Sequence, residues 1–458
     1  MGRGRAVQKQ KIGLAVVAVA LSVGQTHAQT PTSPVTGSVS LSTNLDVDTN
    51  PGLTATPVTT TTLSEQLSFS IKTENRNQTF EFLGSTELSY GIQTGSSGSI
   101  SITDPDFVAR YTRDAANASI NASANYRRGD ITTIFDIDPS AAVVLVTDNG
   151  TVTTTGADIQ AQIGKNAPLG VTFDLGYDNV DFAGTTDPNL FDTRTTTLGF
   201  DTRLNFSPVT TGNFRVNHTD YSAADATSTR TQTTTYDFAL SHELRRALQI
   251  DLNLGYQTRD LTLSGITGTN DGFKAGVNLT QTLPNGSIFG GIGIDQTGAA
   301  DRTSLSFGRS LTLPAGSLSA SITAADVVGS SLQVFGSANY TQSLADGSFS
   351  VNLDQSLSTN QNNEDILFTR FGLGYQQQVT GTSDLNLSLD MSRSEDGGAG
   401  AAPTQNRATL AATYSRQLTQ EWDMSVGYRH RIFSSSTSPQ ADSDTLFLTL
   451  TRNIQFGF

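Results

Sequence analysis

Residues 247–259 read ALQIDLNLGYQTR. Leu248, Ile250, Leu252, Leu254 and Tyr256 take every second position, and Gln249, Asp251, Asn253, Gln257 and Arg259 lie among the rest. Successive side chains of a strand point to opposite faces, so this segment is a strand with one apolar and one strongly polar side. The split recurs at 383–393, where Leu385, Leu387, Leu389 and Met391 oppose Asp384, Asn386, Ser388 and Asp390. It recurs at 421–432, where Trp422, Met424, Val426, Tyr428 and Ile432 oppose Glu421, Asp423, Arg429 and Arg431. No helical period competes with it over any long stretch.

Short turns join these strands in pairs. LPNG (283–286), LPAG (313–316) and LADG (344–347) are Pro/Gly/Asp turn signals between alternating runs. ENRNQ, RDAAN, NAPLG, SPVTTG, RRA, VTGTS and LTQE occupy equivalent places. Longer polar connections alternate with them, at 48–60, 93–104, 129–155, 183–191, 224–231, 260–270, 298–301, 327–330, 359–364, 395–404 and 434–441. The count is about 22 strands, within a range of 16–22, most of them 10 to 14 residues long. An open sheet of that size would aggregate through its edges, and closure into an antiparallel barrel removes them. The polar face carries too many Asp, Arg, Asn and Gln residues for a dry core, so it lines water. The apolar face then meets lipid. The fold class is therefore all-β, a transmembrane antiparallel β-barrel.

The amino terminus agrees. Arg3, Arg5, Lys9 and Lys11 precede a short apolar run from Ile12 to Val23, and Thr26-His27-Ala28 fits a cleavage site. The run is too short for a membrane anchor, so residues 1–28 read as a secretory signal peptide and 29–458 as the barrel. Removing it leaves 24 Lys and Arg against 42 Asp and Glu, a formal charge of −18. That acidity excludes a nucleic-acid footprint. With no cysteine there is no disulfide, thiol nucleophile or cysteine-held metal.

The last residues, TLFLTLTRNIQFGF (445–458), place Leu446, Leu448, Leu450, Ile454, Phe456 and Phe458 on the apolar phase. With the signal peptide, the alternating strands and the alternation of short and long connections, this ending resembles that of bacterial outer-membrane β-barrel proteins. The resemblance covers essentially all of residues 29–458. It implies that Leu450, Ile454, Phe456 and Phe458 form the insertion signal read by the barrel-assembly machinery, Arg452 departing from the pattern. It implies outer-membrane lipid as the surrounding phase, both termini and the short turns in the periplasm, and the long loops outside. Aromatic girdles are expected at both interfaces: Tyr340, Phe349, Tyr375, Tyr414 and Trp422 near the short turns, Tyr256 and Tyr428 toward the opposite rim.

The chemistry of a site is sparse. His218, His242 and His430 fall on the apolar phase, which gives no general base a partner, so no enzyme is expected. DVDTNPG (46–52) alternates oxygen ligands before a glycine, but the spacing is wrong for a calcium loop. GGIGID (290–295) sits mid-strand, where glycines permit close packing. No cofactor is implied. The polar face carries Arg203, Arg215, Asp251, Arg259, Asp354, Arg370, Asp390, Arg407, Arg429 and Arg431, with Asp174, Asp178, Asp201, Asp237, Glu243, Asp295 and Arg393. These read as lumen-lining charges of a hydrated wall. The loop 129–155 contains AAVVLV and is expected either to fold into the lumen as a constriction or to extend the wall as extra strands. The expectation is a passive water-filled pore for polar solutes. The alternatives are an export pore for a polysaccharide or other polymer, working with periplasmic export partners, and a surface adhesin.

Overall fold

A computed structural model describes residues 35–53, 55–93, 99–131, 150–185, 190–296, 301–327, 332–359, 365–396, 404–436 and 438–457. The proposed signal peptide, most of the loop 129–155 and Phe458 lie outside these residues.

Twenty-two strands form one sheet, each paired antiparallel with its neighbour in sequence. The first six are β1 (Val35–Asp48), β2 (Thr60–Glu74), β3 (Gln78–Gln93), β4 (Ser99–Asp114), β5 (Ala118–Asp130) and β6 (Thr151–Ile163). Then come β7 (Leu169–Ala183), β8 (Thr193–Ser207), β9 (Thr210–Ala223), β10 (Arg230–Arg245), β11 (Leu248–Leu263) and β12 (Ile266–Leu283). Next are β13 (Gly286–Asp295), β14 (Arg302–Leu313), β15 (Gly316–Val327), β16 (Gln333–Leu344) and β17 (Gly347–Thr359). The last are β18 (Asp365–Thr380), β19 (Ser383–Asp396), β20 (Gln405–Gln417), β21 (Trp422–Ser435) and β22 (Ser438–Gly457).

The sheet closes because β1 pairs with β22 along its whole length, from Thr36 opposite Gly457 to Asp48 opposite Thr445. At the lower rim, where the first strand begins and the last ends, the Phe456 ring lies against Gly37. A Cβ at Gly37 would occupy the space of that ring, so the glycine admits the aromatic that ends the seam. All ten short turns expected from the sequence lie at this rim.

Most of the exposed apolar side chains fall on one face. Leu41, Leu45, Leu63, Leu67, Phe173, Leu198, Leu254, Phe307, Ile322, Leu387 and Leu448 all belong to it. With no second protein layer to cover it, this face is the one that suits acyl chains. Near the lower rim Tyr340 meets Phe349 edge-on, with ring centroids 6.4 Å apart. There too Arg452, on the apolar phase, places its guanidinium 5.8 Å from the Trp422 ring and bonds Glu421 at 3.0 Å. That pairing explains how a cation is tolerated at an otherwise greasy position. Toward the upper rim Tyr236, Tyr256 and Phe273 form one cross-strand row.

Two expectations change at the upper rim. The connection at 260–270 is strand almost throughout. Ser264 and Gly265 (φ 50° and 82°) make a two-residue turn with both central residues left-handed, which matches strand twist and lets β11 and β12 pair to their tips. The β5–β6 pair likewise runs up to Asp130 opposite Thr151, so part of the loop 129–155 is wall; its middle lies outside the described residues. Arg230 sits six residues above Tyr236 on β10, roughly 20 Å of strand at about 3.3 Å per residue. The β9–β12 wall therefore stands well above the aromatic row.

Leu254→Arg, in the middle of the apolar face, is expected to cost about 2–4 kcal/mol in a refolding titration into lipid vesicles. Asn253→Arg, one residue away on the polar face, should change the midpoint little. Equal effects at the two sites would show that the faces are wrongly assigned.

Candidate ligand site at the upper mouth

The polar face carries every charge that the sequence singled out as lining the lumen except Arg393. Arg215 bonds Asp201 at 3.2 Å, Arg370 lies 3.6 Å from Asp390, and Asp354 is the cross-strand neighbour of Arg370. Asp251 accepts from Gln249 at 2.8 Å, and Arg429 stands 5.9 Å from the Phe447 ring centroid. Arg203 is held at the lower rim, donating to the carbonyls of Lys165 at 2.7 Å and Gly164 at 3.1 Å in the β6–β7 turn. Arg407 and Arg431 share the inner face of neighbouring strands two residues out of register, Arg407 opposite Phe433 and Arg431 opposite Thr409. Arg393 is the exception: two positions beyond Met391, it shares the outward face and pairs with Glu395 at 2.5 Å. Leu450, Ile454 and Phe456 take the apolar face of β22, as expected.

Toward the upper mouth the polar face changes character. Above the aromatic row there is no lipid, so apolar residues there have to find other cover. Two groups find it within the chain. Val152, Val180 and Phe182 on the inner face of β6 and β7 pack with Ile131 and Leu190, and Ile131 and Val152 are almost fully buried. At the closing seam, Leu53 of the β1–β2 connection packs on Phe433 and Ala441.

A polar latch fixes the second group at the seam. Arg431 Nη2 donates to Asp48 Oδ2 at 2.9 Å, Ser443 Oγ to Asp48 Oδ1 at 2.5 Å, and Thr445 Oγ1 to Asp48 Oδ2 at 2.8 Å. The backbone N–H of Asn50 adds a bond to Asp48 Oδ1 at 2.9 Å, and its side chain donates to the Asp442 carbonyl at 3.0 Å. Asp48 is thus committed to protein donors, and DVDTNPG is a latch for the loop rather than a calcium loop. Sequence reading placed Arg431 on the polar face and Asp48 at the start of the first long loop but could not join them, being 383 residues apart.

A third apolar group on the inner face stays open. Leu261 and Leu263 of β11 and Ile266 of β12 surround the Ser264–Gly265 turn, and Ile266 is 77% exposed. With Arg259, Gly268 and Asn270 they line a cavity of about 500 Å³. An adjoining cavity of about 610 Å³ shares Arg259, Leu261 and Leu263 and adds Phe191, Tyr221, Ala223, Asp225, Thr227, Thr229 and Thr231. The register explains the assembly: Tyr221, Thr231, Leu261 and Gly268 form one cross-strand row.

Hydrogen bonds set the frame of this pocket. Asp192, next to Phe191, accepts the Phe182 N–H at 2.8 Å, and its carbonyl accepts the Ala224 N–H at 2.8 Å. The Ser264 N–H donates to the Thr227 carbonyl at 2.6 Å, tying the β9–β10 loop to the β11–β12 turn. Asp225 closes its own loop, accepting the Thr229 N–H at 2.8 Å and the hydroxyls of Thr229 at 2.6 Å and Thr227 at 3.0 Å. Burial alone would raise the Asp225 pKa, but these donors outweigh it and hold the carboxyl below its ordinary range. Only Arg259 of this pocket was singled out in the sequence. Leu261, Leu263 and Ile266 were hidden inside a segment read as a polar loop.

The histidines are engaged on the outward phase. His218 Nδ1 bonds Thr234 Oγ1 at 2.9 Å, His242 Nδ1 bonds Thr210 Oγ1 at 2.8 Å, and His430 Nδ1 bonds Asp444 Oδ1 at 2.8 Å. Among the described residues no cluster of three or more His, Asp or Glu is placed to hold a metal.

No protein-family model and no curated protein sequence matches the chain. Solved structures do. A variant of the ferric enterobactin receptor of Pseudomonas aeruginosa, in complex with enterobactin, superposes with a TM-score of 0.61. It is 10% identical, over 93% of this chain and 82% of that one. The siderophore receptor PirA of Pseudomonas aeruginosa gives 0.54 at 12% identity, over 93% and 81%. The copper transporter OprC gives 0.58 at 10% identity, over 93% and 81%. The protein is therefore a bacterial outer-membrane β-barrel of 22 strands, surrounded by membrane lipid. The expectation of a passive pore does not stand. The three matching barrels above are receptors and a transporter named for particular cargo, not porins, polymer exporters with periplasmic export partners, or adhesins.

Arg431→Ala leaves the Asp48 carboxylate without its cation in a site only 13% exposed. Loss of one partner of such a pair costs about 3–5 kcal/mol locally. The expected readout is protease cleavage in 49–59 under conditions where the parent resists; an unchanged digest would refute the latch. For Asp225 the sign is that of a lowered carboxyl: its contribution is present at neutral pH and lost as pH falls through the depressed value. The Thr229 amide proton shift should titrate with a midpoint below about 3.9, and a midpoint at or above that value would refute the assignment.

Proposed function

We propose that the chain is an outer-membrane receptor that captures a specific solute at its upper, outward-facing mouth and admits it through the barrel. The observation that carries this reading is the pocket on β9–β12. It is a built concavity of apolar, aromatic and guanidinium groups standing above the lipid band, its apolar surface open where the Ile131 and Leu53 groups are sealed. Pockets of this size that combine apolar lining with a few convergent polar groups suit small ligands. The latched β1–β2 connection adds to it, since its inward-packed Leu53 narrows the mouth on the other side.

The likeness to receptors for ferric enterobactin and other siderophores, and to a copper transporter, suggests where to begin the search for cargo. In this reading Leu450, Ile454, Phe456 and Phe458 present the assembly machinery with the alternating apolar ending, and the remaining wall charges keep the interior hydrated.

The test is uptake by whole cells that lack their own receptors and express this chain. Radiolabelled ferric enterobactin, a ferric hydroxamate and copper are offered in turn. The expected result is saturable, competable uptake of one of them. Uptake that rises linearly with concentration and depends only on solute size would overturn the reading. Replacing Phe458 by Ser is expected to lower the amount of heat-modifiable barrel in the outer membrane several-fold, measured on unheated gels.

A further inference from the structure

Among the described residues three apolar groups line the inner face above the aromatic row, and they differ in one respect. The group of Ile131 and Val152 and the group of Leu53 and Phe433 are sealed by the chain itself, to 5% exposure or less at these four residues. The group of Leu261, Leu263 and Ile266 is not: Leu263 is 41% and Ile266 77% exposed. Lipid cannot reach it, because it belongs to the phase of Asp251 and Asn253, and Tyr256 on the opposite phase already marks the top of the apolar band. Apolar surface held open on a rigid hairpin, facing water, costs solvation free energy that a bound partner would recover.

Below this surface is a cation. Arg259 lines both cavities, two residues along β11 from Leu261 and four from Leu263. A guanidinium has five N–H donors in a fixed fork, so it can bond within the wall and still present a pair to a carboxylate, sulfonate or phosphate oxygen. The nearby acid at the rim, Asp225, is occupied by Thr227 and Thr229 and does not compete. Phe191, from the connection before β8, and Tyr221 of β9 line the same space and offer ring surface.

We propose that this pocket binds an amphiphilic anion, its aromatic or aliphatic body against Leu261, Leu263, Ile266, Phe191 and Tyr221 and its anionic group on Arg259. The proposal rests on the receptor reading above and deepens it by assigning ligand chemistry and residues. A neutral apolar solute would make no use of the guanidinium, and a small inorganic anion would leave the apolar wall bare. The combination is what the site selects.

The experiment uses the mature full-length barrel in phospholipid nanodiscs and measures binding by isothermal titration calorimetry. The probes are 2-naphthalenesulfonate, naphthalene-2-methanol and inorganic sulfate. Saturable one-to-one binding of the sulfonate is expected, with the other two at least tenfold weaker. Arg259→Gln should weaken the sulfonate at least tenfold and leave the neutral probe unchanged. Ile266→Asn, at an exposed position where folding is not at stake, should weaken both aromatic probes. Arg370→Gln, elsewhere on the wall, should change nothing. Absence of saturable binding, sulfate binding as tight as the sulfonate, or insensitivity to both pocket variants would overturn the proposal. The receptor reading fails separately: if the pocket variants abolish probe binding in nanodiscs yet cells show no saturable uptake of any cargo, the site stands and the receptor does not. If uptake is saturable but indifferent to Arg259→Gln and Ile266→Asn, the receptor stands and this site falls.

Discussion

Inside a hydrocarbon layer no water is available to satisfy a backbone N–H or carbonyl, so every one must be paired within the protein. In this chain that requirement is met only because β1 and β22, at opposite ends of the described sequence, pair from Thr36–Gly457 to Asp48–Thr445. Everything else follows from the closed ladder. Because it has no free edge, the apolar face of each strand can be turned out to lipid and the polar face inward. The period of two then becomes a radial code, and position along the strand becomes depth.

That code has a vertical limit. Below the Tyr236–Tyr256–Phe273 row, outward residues are apolar and inward residues polar. Above it the outward face of β9–β12 carries Asp220, Arg230, Asp260 and Asp271, while the inward face gains Tyr221, Leu261 and Leu263. Once lipid is gone, the outer face has to meet water, and apolar residues are free to move inside. The upper wall is thus an ordinary water-facing sheet on the outside, with three apolar groups within. Two serve to pin loops, through Leu53 and Ile131, and the latch of Asp48 and Arg431 fixes one of them at the closing seam. The third remains open and is the reason for reading the mouth as a binding site.

The electrostatics of the wall are local in the same way. Arg203 ties a turn, Arg215 and Arg370 are answered by Asp201 and Asp390, and Arg431 holds a loop. Such pairing leaves little single-sign field along the bore. On the proposed receptor reading, selectivity comes from a site, where burial and shape make a few groups decisive, and Arg259 lies within such an apolar cavity.

Strand number, the lipid face, the lower-rim turns and the polar-face positions of Asp251, Arg259, Arg370 and Arg429 were all legible in the sequence. Alternation is a local property, and a closed barrel is the one large sheet that tolerates it. The pairing of Asp48 with Arg431, the packing of Leu53 on Phe433 and the meeting of Phe191, Tyr221 and Ile266 in one cavity were not legible. Those contacts join residues by strand order and loop direction, and neither leaves a periodic trace. Residues 260–270 mark the boundary between the two kinds of knowledge. Their Thr, Gly and Asn content reads as a loop, yet the neighbouring β10 and the left-handed Ser264–Gly265 turn hold them in strand and so place Leu261, Leu263 and Ile266 at the mouth. Local sequence determined which face each side chain takes; only closure of the sheet decided which distant side chains share a face at the same height.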